Sequence, residues 1–499
     1  MRYIISFFVI ISNLFVTNLN ADNKDLVKTI KEIQENIKFH TLSNGIRVIF
    51  YKRGYAPVFS GVVAIGVGGV DEAPGITGIS HLFEHMAFKG TSKLGTKNYT
   101  KEKKLLAKIE EIMSASEAGN NLTNQQKKDL ENINKELHVL WADQETIDKI
   151  YGKIGGVGLN ATTGMDITNY FVSLPSNRIE DWSELESDRI LDPVYRQFYK
   201  ERDVVHEERR MRFEDNISSK LYVSLIKYAF LVHPYRNPVI GHKEDLDYLT
   251  ASKLEDFQSK FYVPTNIVIS IVGNLNFEET IKILERYFGR IKRKNHPEQV
   301  KLIEPDQLGP REFTIFDKSE PQFLMAYHKP NYPDREDLGL NLWLEAVLGG
   351  RTAIAYKELV LDRKIATSLD YAEGPGSKYP NLYFISARPN KISNRKLISE
   401  LDKIFEKVFK KGVSEDRLNI VKQKLIVEFL SSLKSNLQLA RSLSSAELIY
   451  TDWKYMLSWI EEIDSFSSKE INLLAKKYFN KNIRTIGYVE RESIKEGDK

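Results

Sequence analysis

Residues 80–90 read Ser-His-Leu-Phe-Glu-His-Met-Ala-Phe-Lys-Gly, which puts two of the chain's nine histidines four residues apart with a glutamate just before the second. On a helix, positions four apart lie about 40° apart around the axis, so His81 and His85 project from one face at a separation suited to a single metal ion. Glu84, three residues after His81, falls on the same side. Two imidazoles and a third protein ligand leave a fourth position on zinc open for water, whose pKa drops towards about 7 and whose proton a nearby carboxylate can take. A His₂Glu set fits zinc best and tolerates cobalt or manganese. Without a third ligand, the same residues describe only a helix that carries two histidines.

That ligand has to come from another helix, and the acidic candidate is "YKERDVVHEERRMRFED" (199–215). Glu201 and Glu208 are seven apart and share a helical face, whereas Glu207 points about 100° away from Glu208. Glu208 is therefore the expected ligand and Glu201 a supporting carboxylate that orients a histidine or the water. Glu201 also has the simpler reading of a salt bridge to one of the nearby arginines. His206 and Glu207 read as bystanders.

The elements that must position these groups follow from turn and periodicity signals. "FHTLSNGIRVIFY" (39–51) is a hairpin around Asn44-Gly45, and a glycine-rich strand (61–70) leads into the histidine helix. Residues 101–150 are charged and helical in period, broken at Gly119-Asn120-Asn121, and read as a helical hairpin inserted on the surface. The polar, proline-bearing, aperiodic stretch 292–310 marks a linker, set at 296–312, between an N-terminal domain (22–295) and a C-terminal domain (313–499). Tyr-x-x-x-Asn-Ile recurs at an offset of 216, at Tyr262/Asn266 and Tyr478/Asn482, each after a helix containing Ser-Lys. The fold class is thus α+β: two copies of one unit, each an antiparallel sheet covered by helices.

Composition narrows the setting. With no cysteine in 499 residues, disulfides, thiolate ligands and thiol nucleophiles are all excluded. Arg2, the apolar run 3–16 and the polar residues after it have the layout of a secretory signal peptide (1–21), so an exported, periplasmic or otherwise extracytoplasmic protein is expected. It is soluble after processing and membrane-bound only if that segment is retained. The formal charge of +4 becomes +3 once Arg2 is removed (4 − 1), too small to indicate nucleic acid.

His-x-x-Glu-His followed by "ERDVVHEE" resembles the pitrilysin/insulysin family of inverzincin metallopeptidases, most closely its half-length branch, which includes the mitochondrial processing peptidases. "GITGISHLFEHMAFKGT" (75–91), "GLNATTGMDITNYFVSLP" (158–175) and "ERDVVHEERRMR" (201–212) carry the resemblance. It implies one Zn2+ per chain on His81, His85 and Glu208, with Glu84 as general base and Glu201 in support. It also implies that Asn160 and Ala161, on an edge strand, hold the backbone of a peptide or unfolded protein substrate, although Asn160 alone could be a turn residue at a strand end. The implied activity is that of a zinc metalloendopeptidase; an inactive structural or chaperone-like subunit of the same family is the alternative.

Two departures from the family pattern matter. His85 and Glu208 are 123 residues apart (208 − 85), an excess that the 101–150 hairpin explains. In the second copy Asn341 and Glu345 stand where histidines would be. The arginine and tyrosine that active members bring to the scissile carbonyl align with Val360 and Thr367, while Arg363 and Tyr371 lie nearby in a poor register. A zinc-less paralogue supplying both groups, or a homodimer, is therefore the expected partner.

Overall fold

The computed structural model describes residues 23–141 and 146–492; the expected signal segment lies outside them. Strands β1 (Ile37–Thr41), β2 (Arg47–Lys52), β3 (Val58–Ile65), β4 (Val157–Thr163), β5 (Thr168–Pro175) and β6 (Ile267–Gly273) form a first sheet. Its order is β1-β2-β6-β3-β5-β4. Strands β7 (Arg311–Asp317), β8 (Gln322–Lys329), β9 (Ala366–Gly374), β10 (Asn381–Pro389) and β11 (Arg484–Arg491) form a second, ordered β7-β11-β8-β10-β9. Among the described residues, no helix is long and apolar enough to cross a membrane.

The two orders superimpose strand for strand from β2 and β7 onward, so the 216-residue repeat is a duplicated sheet. Tyr262 and Tyr478 each end a helix, Ala251–Phe261 and Ser468–Tyr478, that delivers the chain into a central strand, β6 or β11. The sheets are not wholly antiparallel as expected: β6 runs parallel to β2, and β11 parallel to β7. A central strand reached through a helical crossover, rather than a hairpin, is free to run either way. The irregular stretch before the second sheet ends at residue 310 and β7 begins at Arg311, so the last two residues of the expected linker are strand.

The first sheet is buried on both faces. One face packs under its own helices, through Val48, Phe50, Val63, Ile65, Ile269 and Ile271. The other face, with Ile49, Val62, Ala64, Val268 and Val272, joins the core of the second half. The Asn436–Tyr450 helix makes that junction. Its Glu447 accepts from Arg47 Nη1 of β2 at 2.8 Å and from the Trp453 N–H at 3.0 Å. The two halves therefore share a continuous core tied by a largely buried ion pair.

Glu447→Ala leaves Arg47 without a counter-ion and the Trp453 N–H without an acceptor. It is expected to lower the unfolding free energy by on the order of 3 kcal/mol. Urea titration followed by tryptophan fluorescence and by far-UV circular dichroism checks this, and the two signals should shift together.

Candidate metal centre and active site

The histidine helix, Ile79–Met86, is oriented by its own pattern. Ile79, Leu82, Phe83 and Met86 form one apolar stripe, all buried, so His81, Glu84 and His85 must face the other way. Its N-terminus is held by Glu72, whose carboxylate accepts from the Gly78 N–H (2.7 Å) and the Ser80 N–H (2.8 Å). Gly78 adopts φ +89°, and a Cβ there would sit 2.6 Å from the Ile240 carbonyl, so only glycine fits this entry.

The Phe198–Arg209 helix crosses beside it, anchored by buried Phe198, Arg202 and Val205. Arg202 Nη1 donates to the Ala118, Asp247 and Leu249 carbonyls. The crossing brings Glu208 Oε2 to 3.5 Å from His85 Nε2 and 3.8 Å from His81 Nε2. One ligand atom from each of the three residues lies within 4.8 Å of the others. Donor atoms around a tetrahedral zinc with bonds of about 2.0–2.2 Å stand roughly 3.3–3.6 Å apart; Glu208 already stands at that spacing from His85, and the set, spread over up to 4.8 Å, would draw together slightly around such an ion. Glu201, two turns earlier on the same helical face, places its Oε1 3.0 Å from His85 Nδ1, which leaves Nε2 for a metal. His206 faces Asp247 at 3.2 Å and Glu207 pairs with Arg210; neither joins the cluster.

The two imidazoles are tuned in opposite directions. Burial pushes the His81 imidazole down to about 3, and His85 and Arg212 push the same way, so it is neutral near pH 7. Burial would also lower His85, but the Glu201 hydrogen bond and the charges of Glu201, Glu208 and Glu84 raise it on balance. Glu201 is held down to about 2, first by its His85 bond and then by Lys89. Burial raises Glu84, opposed by a hydrogen bond from the Thr163 hydroxyl to its Oε2 at 2.6 Å.

Thr163 ends β4, the edge strand whose only sheet neighbour is β5. Asn160 and Ala161 lie on that edge, Asn160 exposed and Ala161 buried. Asn160 Oδ1 accepts from the Ala161 N–H at 2.9 Å. Glu72, Thr163, Lys89 and Arg212 were missed by sequence reasoning. Arg212, which pairs with Glu208 Oε1 at 2.9 Å, had a signal in its spacing of four residues. Thr163, 79 residues from Glu84, had none.

The insert, Tyr99–Ala115 and Asn124–Leu140, does not stay outside as expected. Its Glu102 is fully buried and takes a bidentate pair from Arg196 (2.7 and 3.0 Å) and a hydrogen bond from Trp141 Nε1 (2.8 Å). Trp141, Thr146 and Asp148 then line a cavity of about 460 Å³ with Glu84, His85 and Glu201. In the second half, Glu345 accepts from the Tyr371 hydroxyl at 2.8 Å and pairs with Lys424. Arg363 pairs with Glu400 at 2.8 Å. The Glu345 position is thus taken up by an internal ion pair, and Arg363 and Tyr371 are engaged within their own half.

Glu72→Ala removes both acceptors at the entry to the histidine helix. It is expected to lower the unfolding free energy by about 1–2 kcal/mol, the cost of losing a helix cap, measured by urea titration.

Residues 47–141, which contain His81, Glu84 and His85, match the family model described as "Insulinase (Peptidase family M16)". Residues 248–425, which contain Asn341 and Glu345, match "Peptidase M16 inactive domain". The chain is 24% identical over 449 residues to the zinc protease PqqE of Helicobacter pylori, covering 88% of this chain and 89% of that protein. A crystal structure of a protease from Helicobacter pylori shares the fold with a TM-score of 0.76 at 22% identity, over 91% of this chain and 99% of that one. The periplasmic protease PqqL from Escherichia coli aligns with a TM-score of 0.68 at 16% identity, over 91% of this chain but 48% of its own length. With both halves matched and the fold shared end to end, the chain belongs to the insulinase-like M16 peptidase family, in its half-length form.

Proposed function

We propose that this chain is a zinc-dependent metalloendopeptidase that hydrolyses peptides or unfolded protein segments. The observation that carries the reading is the convergence of His81, His85 and Glu208 beside Glu84, at the end of an open edge strand. Zinc held by those three residues would supply a Lewis acid for the scissile carbonyl and for water. Glu84, kept in place by Thr163, takes the proton from the attacking water and returns it to the leaving amine. Glu201 fixes the His85 ring, and the backbone of β4 around Asn160 and Ala161 pairs with the extended substrate.

Because Arg363 and Tyr371 are bound up in the second half, the groups that stabilise the developing oxyanion come from outside the chain. A zinc-less paralogue is the partner this favours, with a homodimer as the other source. The leader-like residues 1–21 support work outside the cytoplasm.

Metal content and cleavage of a quenched peptide test the reading together. The mature chain should hold one zinc. Chelation should abolish cleavage and added zinc should restore it. Glu84→Gln should keep the metal while losing at least about 100-fold in kcat, whereas His81→Ala should lose the metal as well. A chain that binds no zinc, or a Glu84→Gln variant that cleaves normally, contradicts the proposal.

Adding the paralogue should raise kcat by about 100-fold or more, the size of effect expected of oxyanion donors. Full activity of the chain alone as a monomer would exclude the split site.

A further inference from the structure

The second half sends one cation to the face of β4. Arg441, on the Asn436–Tyr450 helix, lies with its guanidinium carbon 4.4 Å from the centre of the Phe171 ring. Its Nη2 donates to Thr162 Oγ1 at 3.4 Å. Two other arginines partly or largely out of water, Arg47 and Arg484, meet the carboxylates of Glu447 and Asp402, and the buried Arg202 is shared among three backbone carbonyls. Arg441 meets none among the described residues, and burial alone lowers its pKa, with no charged neighbour contributing. Holding a guanidinium partly out of water without a counter-charge is unfavourable, and the ring contact offsets only part of that cost. The position calls for an anion that arrives from outside.

The pleat of β4 says where that anion would sit. Across the β4–β5 ladder Asn160 stands opposite Phe171 and Thr162 opposite Asn169, while Ala161 and Thr163 stand opposite Tyr170 and Thr168. Asn160 and Thr162 therefore share the face that Arg441 covers, and Ala161 and Thr163 share the face of Glu84. A peptide added at the free edge continues the alternation. Its side chains on the Arg441 face would lie about 4.5–5.5 Å from those of Asn160 and Thr162, within reach of the guanidinium.

We propose that Arg441 is a specificity-determining residue, which recognises a carboxylate of the bound peptide on the face of β4 opposite Glu84. The inference rests on the reading of β4 as the substrate strand. An acidic side chain and a free peptide C-terminus present the same chemistry, and Arg441 takes either in a bidentate pair.

The test uses the full chain carrying Glu84→Gln, loaded with zinc, so that peptides bind without being consumed. Fluorescence anisotropy is read on a set of C-terminally amidated peptides that carry Gln, Glu or Lys at each position in turn, and on the same Gln peptides with a free C-terminus. At one position, or with the free terminus, the carboxylate peptide should bind about tenfold tighter than its neutral counterpart. Arg441→Gln should bring that ratio to about one, Arg441→Lys should keep part of it, and Arg441→Glu should turn it in favour of the Lys peptide. The arm that shows the gain identifies the source of the carboxylate. Binding without charge preference, or a preference that survives in Arg441→Gln, overturns the assignment and leaves the peptidase reading intact. Absence of peptide binding, with or without the paralogue, overturns both.

Discussion

Two imidazoles one helical turn apart cannot close a metal site by themselves, so a carboxylate must be brought from 123 residues further along the chain and held within a few ångström (208 − 85). Much of the first half serves that requirement. The apolar stripe of the Ile79–Met86 helix fixes its rotation on the sheet, and Glu72 fixes its entry. Arg202 and Val205 seat the second helix so that Glu201 and Glu208 both look back at the histidines. Each contact is ordinary alone; together they confine the donor atoms to one small region.

The helical insert shows how a long excursion can be accommodated between parts of a site. Loop closure cost grows slowly with length, so the extra residues disturb little if the ends are held. They are held by the Glu102–Arg196 pair, which also collects the Lys89, Thr91 and Leu94 carbonyls that follow the histidine helix. The insert is thereby fastened to the loop that leaves the site, and its base forms one wall of the cavity beside Glu84. Its outer faces remain charged and exposed.

Duplication has separated the tasks of the two halves. The Arg335–Leu348 helix, which occupies the place of the histidine helix, is almost entirely buried and carries core residues such as Leu342, Trp343, Leu344 and Val347. Glu345 on it is compensated by Lys424 and Tyr371. This half meets the first sheet through the Asn436–Tyr450 helix, which covers its open face and sets Arg441 beside β4.

The sequence by itself determined what depends on short range. The four-residue spacing of the histidines, the seven-residue spacing of Glu201 and Glu208, the Asn44-Gly45 turn and the 216-residue repeat are all legible because helical and strand periods are local. The lack of histidines at Asn341 and Glu345 is legible for the same reason. Only the tertiary structure decided that Thr163 holds Glu84 and that Glu72 grips the helix entry. It also decided that β6 and β11 enter their sheets parallel to β2 and β7, that the insert reaches the site, and that Arg363 and Tyr371 pair with Glu400 and Glu345 of their own half. Apart from the Glu72 contact, six to eight residues long, those outcomes join residues tens to hundreds of positions apart, as with Arg441 and Thr162, 279 apart. Which groups meet at such a distance is set by how sheets and crossovers pack, and no local period encodes that.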